Sequence, residues 1–212
     1  MTRSTLDQWL KQLESLHPTE IELGLDRVRA VAERLQLLPW VIPTITIAGT
    51  NGKGSVAASC ETALTAMDVA VGVYTSPHFL AFNERIRVDG QPVPDAEIIA
   101  AFEQIDAARQ AVSLTYFEFA TLAALLIFRD RGVAMVVLEV GLGGRLDAVN
   151  IIDPTIAVIT RIDIDHQAWL GDTRELIGAE KAGILRLDRP AVIADPDPPE
   201  SLTPDGGASV YY

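Results

Sequence analysis

Thr44-Ile-Thr-Ile-Ala48, followed at once by Gly49-Thr-Asn-Gly-Lys-Gly-Ser55, is the stretch that decides the fold. The first five residues are rich in β-branched side chains, which favour a strand. The next seven form a glycine-rich turn with one lysine, and Val56–Met67 behind them is alanine-rich and helix-compatible. Strand, glycine turn and helix make a phosphate cradle. Backbone N–H groups and the helix N-terminus face the anion, and the lysine reaches the outer phosphates. The usual pattern G-x-x-x-x-G-K-[ST] does not fit. Its first glycine would fall on Ile47, and Gly54 stands where serine or threonine is needed. The loop is therefore short and lacks the hydroxyl that normally holds magnesium. A solvated surface turn is the alternative, but three glycines around Lys53, between a strand and a helix, favour ATP binding.

The alternation of strands and helices continues on both sides. Leu6, Leu10, Leu13 and Leu16 recur at helical spacing before Pro18, and Leu25, Val28, Val31, Ala32 and Leu35 mark a second helix ending before Pro39. Val69–Tyr74 reads as a strand with the loop Thr75–Phe79 after it. Asp95–Ala111 and Tyr116–Arg131 read as helices, Val133–Val140 and Thr155–Ile162 as strands, Thr173–Leu185 as a helix and Ala191–Ala194 as a last short strand. Near-continuous apolar strands separated by helices predict an α/β fold, a mostly parallel sheet flanked by helices. No internal repeat is visible. From Asp195 the pattern stops: Asp195-Pro-Asp-Pro-Pro-Glu200 and Thr203-Pro-Asp-Gly-Gly207 read as a linker or loose tail. The expected organisation is thus one domain over residues 1–194 and a linker or truncated tail over 195–212.

Composition narrows the class. The 212 residues are 49% hydrophobic and 22% charged, a globular balance that excludes general disorder. With 17 Lys and Arg against 29 Asp and Glu, the net charge of −12 argues against a sequence-independent nucleic-acid or anionic-membrane binder. The single cysteine, Cys60, makes no internal disulfide and fits reducing surroundings. The N-terminus lacks a basic stretch before an apolar block, and the longest apolar run, Phe119–Phe128, is too short to span a bilayer. A cytoplasmic protein is expected.

Mg²⁺ takes hard oxygen ligands: one or two carboxylates, phosphate oxygens and water. Glu139 is the one charge in its strand and stands at the C-terminal end, where ligands gather in open α/β sheets. It is read as a metal ligand in preference to a helix cap. Ser76, after the next strand, either supplies the hydroxyl that Gly54 lacks or simply forms the turn before Pro77. His166, placed just beyond a strand end, is either a ligand or structural.

Seven segments occur in order: Gly49–Ser55, Thr75-Ser-Pro-His78, Glu84-Arg-Ile-Arg87, Tyr116-Phe-Glu118, Glu139-Val-Gly-Leu-Gly-Gly-Arg-Leu-Asp-Ala148, Asp165-His166 with Trp169-Leu-Gly171, and Glu180-Lys-Ala-Gly-Ile184. Together they resemble the folylpolyglutamate synthase/dihydrofolate synthase family of the Mur ligase superfamily, from about Leu6 to Ala194. The resemblance implies a P-loop-containing, Mur-ligase-like ATPase domain. Thr50, Asn51, Gly52, Lys53, Gly54 and Ser55 would hold ATP. Ser76 and Glu139 would ligate Mg²⁺ and His166 a second ion. Lys181 matches the family lysine that is carbamylated into a metal ligand; read alone, it is a solvated helix residue. Lys53, Glu139, His166 and Lys181 form the implied catalytic set. Glu20, Ile21, Glu22, Leu23, Phe117, Leu146, Asp147 and Ala148 match the dihydropteroate pocket. Phe117 can stack on a pterin, although Tyr116 and Phe119 are equally helix-face core.

The implied activity is an ATP-dependent ligase that joins L-glutamate to dihydropteroate and to folates through an acyl phosphate. The family is typically monomeric and carries a second, glutamate-binding domain, before which this chain ends. A non-catalytic ATP-binding fragment is therefore the competing reading. A cell-wall-precursor ligase of the same superfamily is a third, against which Thr75–His78 and Tyr116–Glu118 argue. Arg161 and Asp163 depart from the family's small residues, and are expected to pair with each other.

Overall fold

The structure, a computed structural model, describes residues 5–19 and 21–202 and the backbone of 210–211. Helix α1 (Leu6–Leu16) starts at Thr5, whose hydroxyl accepts from Gln8 N, and buries Leu6, Trp9 and Leu13 on one face. Helix α2 (Asp26–Arg34) buries Val28, Val31 and Ala32. Strand β1 (Thr44–Ala48) runs through the glycine turn into α3 (Lys53–Ala66), followed by β2 (Val71–Tyr74). A short hairpin of β3 (Ile86–Val88) and β4 (Gln91–Pro92) comes next, then α4 (Asp95–Arg109) and α5 (Tyr116–Arg131). Strands β5 (Met135–Glu139) and β6 (Ile156–Ile159), the one-turn helix α6 (Gln167–Leu170), α7 (Arg174–Ala182), β7 (Ala191–Ile193) and β8 (Val210–Tyr211) complete the chain.

Among the described residues, eight strands form one sheet in the order β4-β3-β2-β5-β1-β6-β7-β8. From β2 to β8 every neighbouring pair is parallel; only β3 runs against the others, pairing antiparallel with both β2 and β4. Alternate residues face opposite layers. Ile47, Val71, Val73, Val137 and Val158 cluster with Ala57 of α3, while Tyr74, Val136, Leu138 and Ile159 join the larger core with α1, α2, α4 and α5. Helix α5 is buried continuously from Glu118 to Phe128 because it lies against the sheet and beneath other helices. Gly72 admits it closely: a Cβ there would lie 2.5 Å from Phe128 Cδ1.

Two outcomes differ from the periodicity alone. The β3–β4 hairpin is absent from the apolar pattern because its strands are three and two residues long and one contains proline. Residues 195–202, expected to be loose, pack on α7. Asp195 accepts from Ile162 N at 2.7 Å and pairs with Arg174, Glu175 accepts from Glu200 N and Ser201 N, and Leu202 is buried. Polar ties, invisible to hydrophobic periodicity, hold this stretch. Among the described residues no helix is long and apolar enough to cross a membrane.

Candidate active site at the C-terminal edge of the sheet

Register brings the site together. Ile47 lies beside Glu139, Ala48 beside Ile159 and Tyr74 beside Leu138, so the chain leaves β1, β2, β5 and β6 along one edge. Gly49 and Gly52 turn the chain there with φ of 146° and 89°, values that strain a residue bearing Cβ. Gly52 thereby caps α3 and aims its first amides at the turn. The loop is tied down on its far side. Thr50 N donates to Arg161 O at 2.8 Å, and the Thr50 hydroxyl bonds both Asp163 N and Asp163 O at 3.0 Å. Lys53 Nζ donates to Gly49 O at 3.0 Å, which holds the ammonium over the loop it follows. Thr50, Asn51 and Gly52 thus form the turn, and Lys53, Gly54 and Ser55 open α3 directly behind it. Arg161 and Asp163 do pair, at 3.9 Å and largely exposed, a geometry that contributes little energy.

Glu139 is 5% exposed, and its carboxylate accepts from Ser76 N at 3.2 Å. Burial pushes its carboxyl above the ordinary range, against the Ser76 amide and the charges of Lys53 and Arg87. A Cβ on Gly54 would sit 3.9 Å from Glu139 Oε1, so the missing serine or threonine side chain would point at this acid. The Ser76 loop is held by Arg87, which donates to Thr75 Oγ1 and Glu84 O while gripping Glu61 of α3 with two nitrogens. A buried carboxylate with so few donors favours a cation beside it. Among the described residues, no three His, Cys, Asp or Glu side chains converge as a metal cage. An ion here would therefore share its shell with ligand oxygens and water.

The implied second set is more dispersed. His166 sits at the tip of the loop before α6, with φ of 48° and an exposed ring 3.6 Å from Asp165 Oδ2. Lys181 is not the solvated residue that its sequence position suggests: α7 carries it to 4% exposure. Arg145 N donates to Glu180 O, docking α7 on the glycine loop after β5. Burial, then the charge of Lys53, pulls the Lys181 ammonium down to about 8, while Asp165 and Asp147 oppose the shift. Among the described residues it makes no salt bridge. Because this folded-state value lies below the ordinary 10.5, the charged form destabilises the fold at neutral pH. Lys181→Met is therefore expected to raise stability at pH 7 by on the order of 2 kcal/mol in bicarbonate-free buffer. The gain should shrink as pH rises from about 8 towards 10.5. Thermal melts across that range check it, and a pH-independent difference would refute the assignment.

Next to this edge opens a cleft of about 850 Å³. Ile21, Glu22, Leu23, Phe117, Leu146, Asp147 and Ala148 all line it, together with Ser76 and His166. Glu20 lies outside the described residues. Phe117 stands tilted beside Tyr74, with ring centroids 5.8 Å apart, and Gly141 makes room for it: a Cβ at 141 would lie 2.7 Å from the ring. Phe119, by contrast, is fully buried core. The Asp147 carboxylate is occupied by the loop itself, accepting from Gly141 N, Leu142 N and Val149 N. Burial still pushes it up to about 6, against those bonds and the Lys53 charge.

Residues in and around the cleft are tied to one another by charge and hydrogen bonds. His17 bonds Glu22 and Ser113; Arg27 joins Glu22 to Glu118; and Glu118 closes a capping box with Thr115 at the start of α5. Glu84 accepts from the backbone N–H groups of Phe79, Leu80 and Ala81, which hold its carboxyl below the usual range. These acids are engaged by the fold, and Glu84 and Glu118 are visible in the sequence only through the motif segments that contain them.

A parallel sheet with a glycine-lysine loop at its centre and a buried acid on the neighbouring strand defines a phosphate-loop domain of the Mur ligase kind. Residues 47–199 match the Mur ligase middle domain, and the chain belongs to that family. It is 49% identical over 199 residues to the dihydrofolate synthase/folylpolyglutamate synthase of Escherichia coli (strain K12), a match taking in 94% of this chain and 47% of that protein. It is 52% identical over 199 residues to the Haemophilus influenzae protein of that name, covering 94% and 45%. Two solved structures are similar throughout. E. coli FolC in complex with DHPP and ADP has a TM-score of 0.92 at 49% identity, covering 94% of this chain and 48% of that one. The bifunctional folylpolyglutamate synthase/dihydrofolate synthase of Yersinia pestis, complexed with AMPPNP and Mn ion, has a TM-score of 0.93 at 50% identity, covering 100% and 53%. The chain spans about half the length of the curated relatives it matches.

Proposed function

We propose that this chain is the nucleotide- and pterin-binding half of an ATP-dependent ligase that joins L-glutamate to dihydropteroate and to folates. The observation that carries the reading is one edge of the sheet, where the Lys53 loop, the buried Glu139 and the Phe117 cleft adjoin. ADP and DHPP in the E. coli relative, and AMPPNP with Mn in the Y. pestis one, support it.

In this reading the Gly49–Ser55 turn and the N-terminus of α3 hold the ATP phosphates, and Lys53 exchanges its carbonyl contacts for the outer phosphate oxygens. Glu139 and the Ser76 hydroxyl would hold a magnesium ion, which supplies charge neutralisation at those oxygens. The depressed affinity of Lys181 for its proton leaves more neutral amine than an exposed lysine has. That amine can add to CO₂ and lose a proton to give a carbamate, which with His166 would hold a second ion. The acceptor's carboxylate oxygen attacks the γ-phosphorus, and the bond to the β–γ bridging oxygen breaks, releasing ADP. The amine nitrogen of glutamate then attacks the acyl carbon, phosphate leaves with the bonding pair, and the extra amine proton passes to solvent. The chain's own share is alignment and exclusion of water. The single, half-buried Cys60 fits a reducing cytoplasm, and the chain is proposed to act as a monomer there, without nucleic-acid or membrane partners.

The test is incorporation of labelled L-glutamate into dihydropteroate by the 212-residue chain with magnesium and ATP. Product formation is expected if this half suffices for chemistry. Magnesium-dependent ATP binding without product makes it a binding half that needs a further domain. Failure to bind ATP overturns the reading.

A further inference from the structure

Within the segment Glu84–Arg87, Glu84 and Arg87 hold the loops together, while Arg85 faces the cleft. Among the described residues, Arg85 is the only lysine or arginine in the cleft wall. Its Nε donates to His78 Nδ1 at 2.8 Å. Its guanidinium lies over the Tyr116 ring at 5.5 Å and near that of Phe82 at 5.8 Å. These three neighbours fix the plane of the group while leaving its two terminal nitrogens without an acceptor among the described residues. Arg27, Arg87, Arg145 and Arg174 each hold a carboxylate; Arg85 holds none among the described residues. Of the acids lining the same cleft, none makes a salt bridge with Arg85 among the described residues, and Glu14, exposed on α1, also acts on the Tyr116 ring that Arg85 covers. Glu22 and Glu118 are engaged with Arg27, and Asp147 with backbone amides. A planar cation, oriented and unpaired in a half-enclosed cleft, is built to receive a carboxylate through two parallel bonds.

We propose that Arg85 is the anion subsite of this cleft and takes the carboxylate of an aryl acid whose ring system lies against Phe117. His78 and Tyr116 are positioning residues: they hold the guanidinium so that its free edge faces the ligand. The proposal rests on the pteroate reading above and adds to it the group that tells the acid from its neutral analogues. It also accounts for an arginine in the same cleft wall as Ser76, the side from which the carboxylate would approach the nucleotide.

The experiment compares pteroate with its carboxamide, which differs only in that group, binding to the 212-residue chain by calorimetry at low and high salt. Pteroate is expected to bind about tenfold tighter than the amide, because a charge-assisted pair replaces a neutral contact. Only pteroate should weaken as salt rises. Arg85→Gln should remove the preference and leave amide binding unchanged, and Arg85→Lys should restore part of it, since the charge returns without the fork. Equal affinity of the wild-type chain for both ligands overturns this proposal alone. So does a loss in Arg85→Gln that falls equally on acid and amide, which would make Arg85 a packing residue. Failure of both ligands to bind the wild-type chain overturns the pteroate reading itself. Should Arg85→Gln not fold, the acid-to-amide ratio and its salt dependence in the wild-type chain still decide.

Discussion

Lys53→Ala is expected to lower the affinity of the chain for ATP by about 100-fold, on the scale of removing one well-placed donor from a phosphate site. The loop itself should survive. Gly49 and Gly52 set its path, Thr50 anchors it to Arg161 and Asp163, and alanine is a good residue for the first turn of a helix. Lys53 contributes two carbonyl contacts in their place, and the carbonyls of Gly49 and Thr50 remain open to water when it is removed. The melting temperature without nucleotide should thus stay where it is, while titration with a fluorescent ATP analogue shows the loss. Unchanged affinity would mean that the ammonium does not reach the phosphates and that the amides of α3 alone hold the anion.

The second large effect belongs to Glu139→Gln. In the wild-type chain, magnesium and ATP together should stabilise the fold by about 2.7 kcal/mol at a hundredfold excess over Kd, by mass action. The amide keeps the volume but not the charge, so the magnesium-dependent part of that gain should vanish. Without metal the sign reverses. Burial raises the folded-state value of the Glu139 carboxyl above its ordinary 4.5, so its contribution to stability is complete below that value and is lost as pH rises through the folded value. The metal-free variant should therefore be at least as stable as the wild type at pH 7, and lose that advantage towards pH 4. Thermal melts with and without magnesium, at both ends of that range, give four numbers. A magnesium shift that persists in the variant would remove Glu139 from the site.

The structural reasons for success and failure in reading the sequence lie in particular residues. Strands buried on both faces must be apolar throughout, so Met135–Glu139 and Val71–Tyr74 announce themselves, and a lone acid at the end of the former stands out. The hairpin of Ile86–Val88 and Gln91–Pro92 is too short to show a period. Glu84 and Glu118 stand in motif segments and Asp147 matches the dihydropteroate pocket, yet backbone N–H groups claim all three carboxylates. Lys181 reads as a solvated cation on a helix, and its burial depends on α7 docking against a loop some 35 residues away in the chain.

By itself, then, the sequence determined the α/β layering, the phosphate turn, the family and the acid at the strand end. Each is written in local order: apolar runs, glycines that permit positive φ, and spacing from a lysine. The tertiary structure alone decided which charged side chains are engaged by the fold and which stay open. It buried Lys181, gave Glu139 a single amide partner from a loop 63 positions away, and left Arg85 facing the cleft without a counter-ion among the described residues. Burial and pairing arise between segments distant in the chain, and those quantities set the charge state of every group in the site.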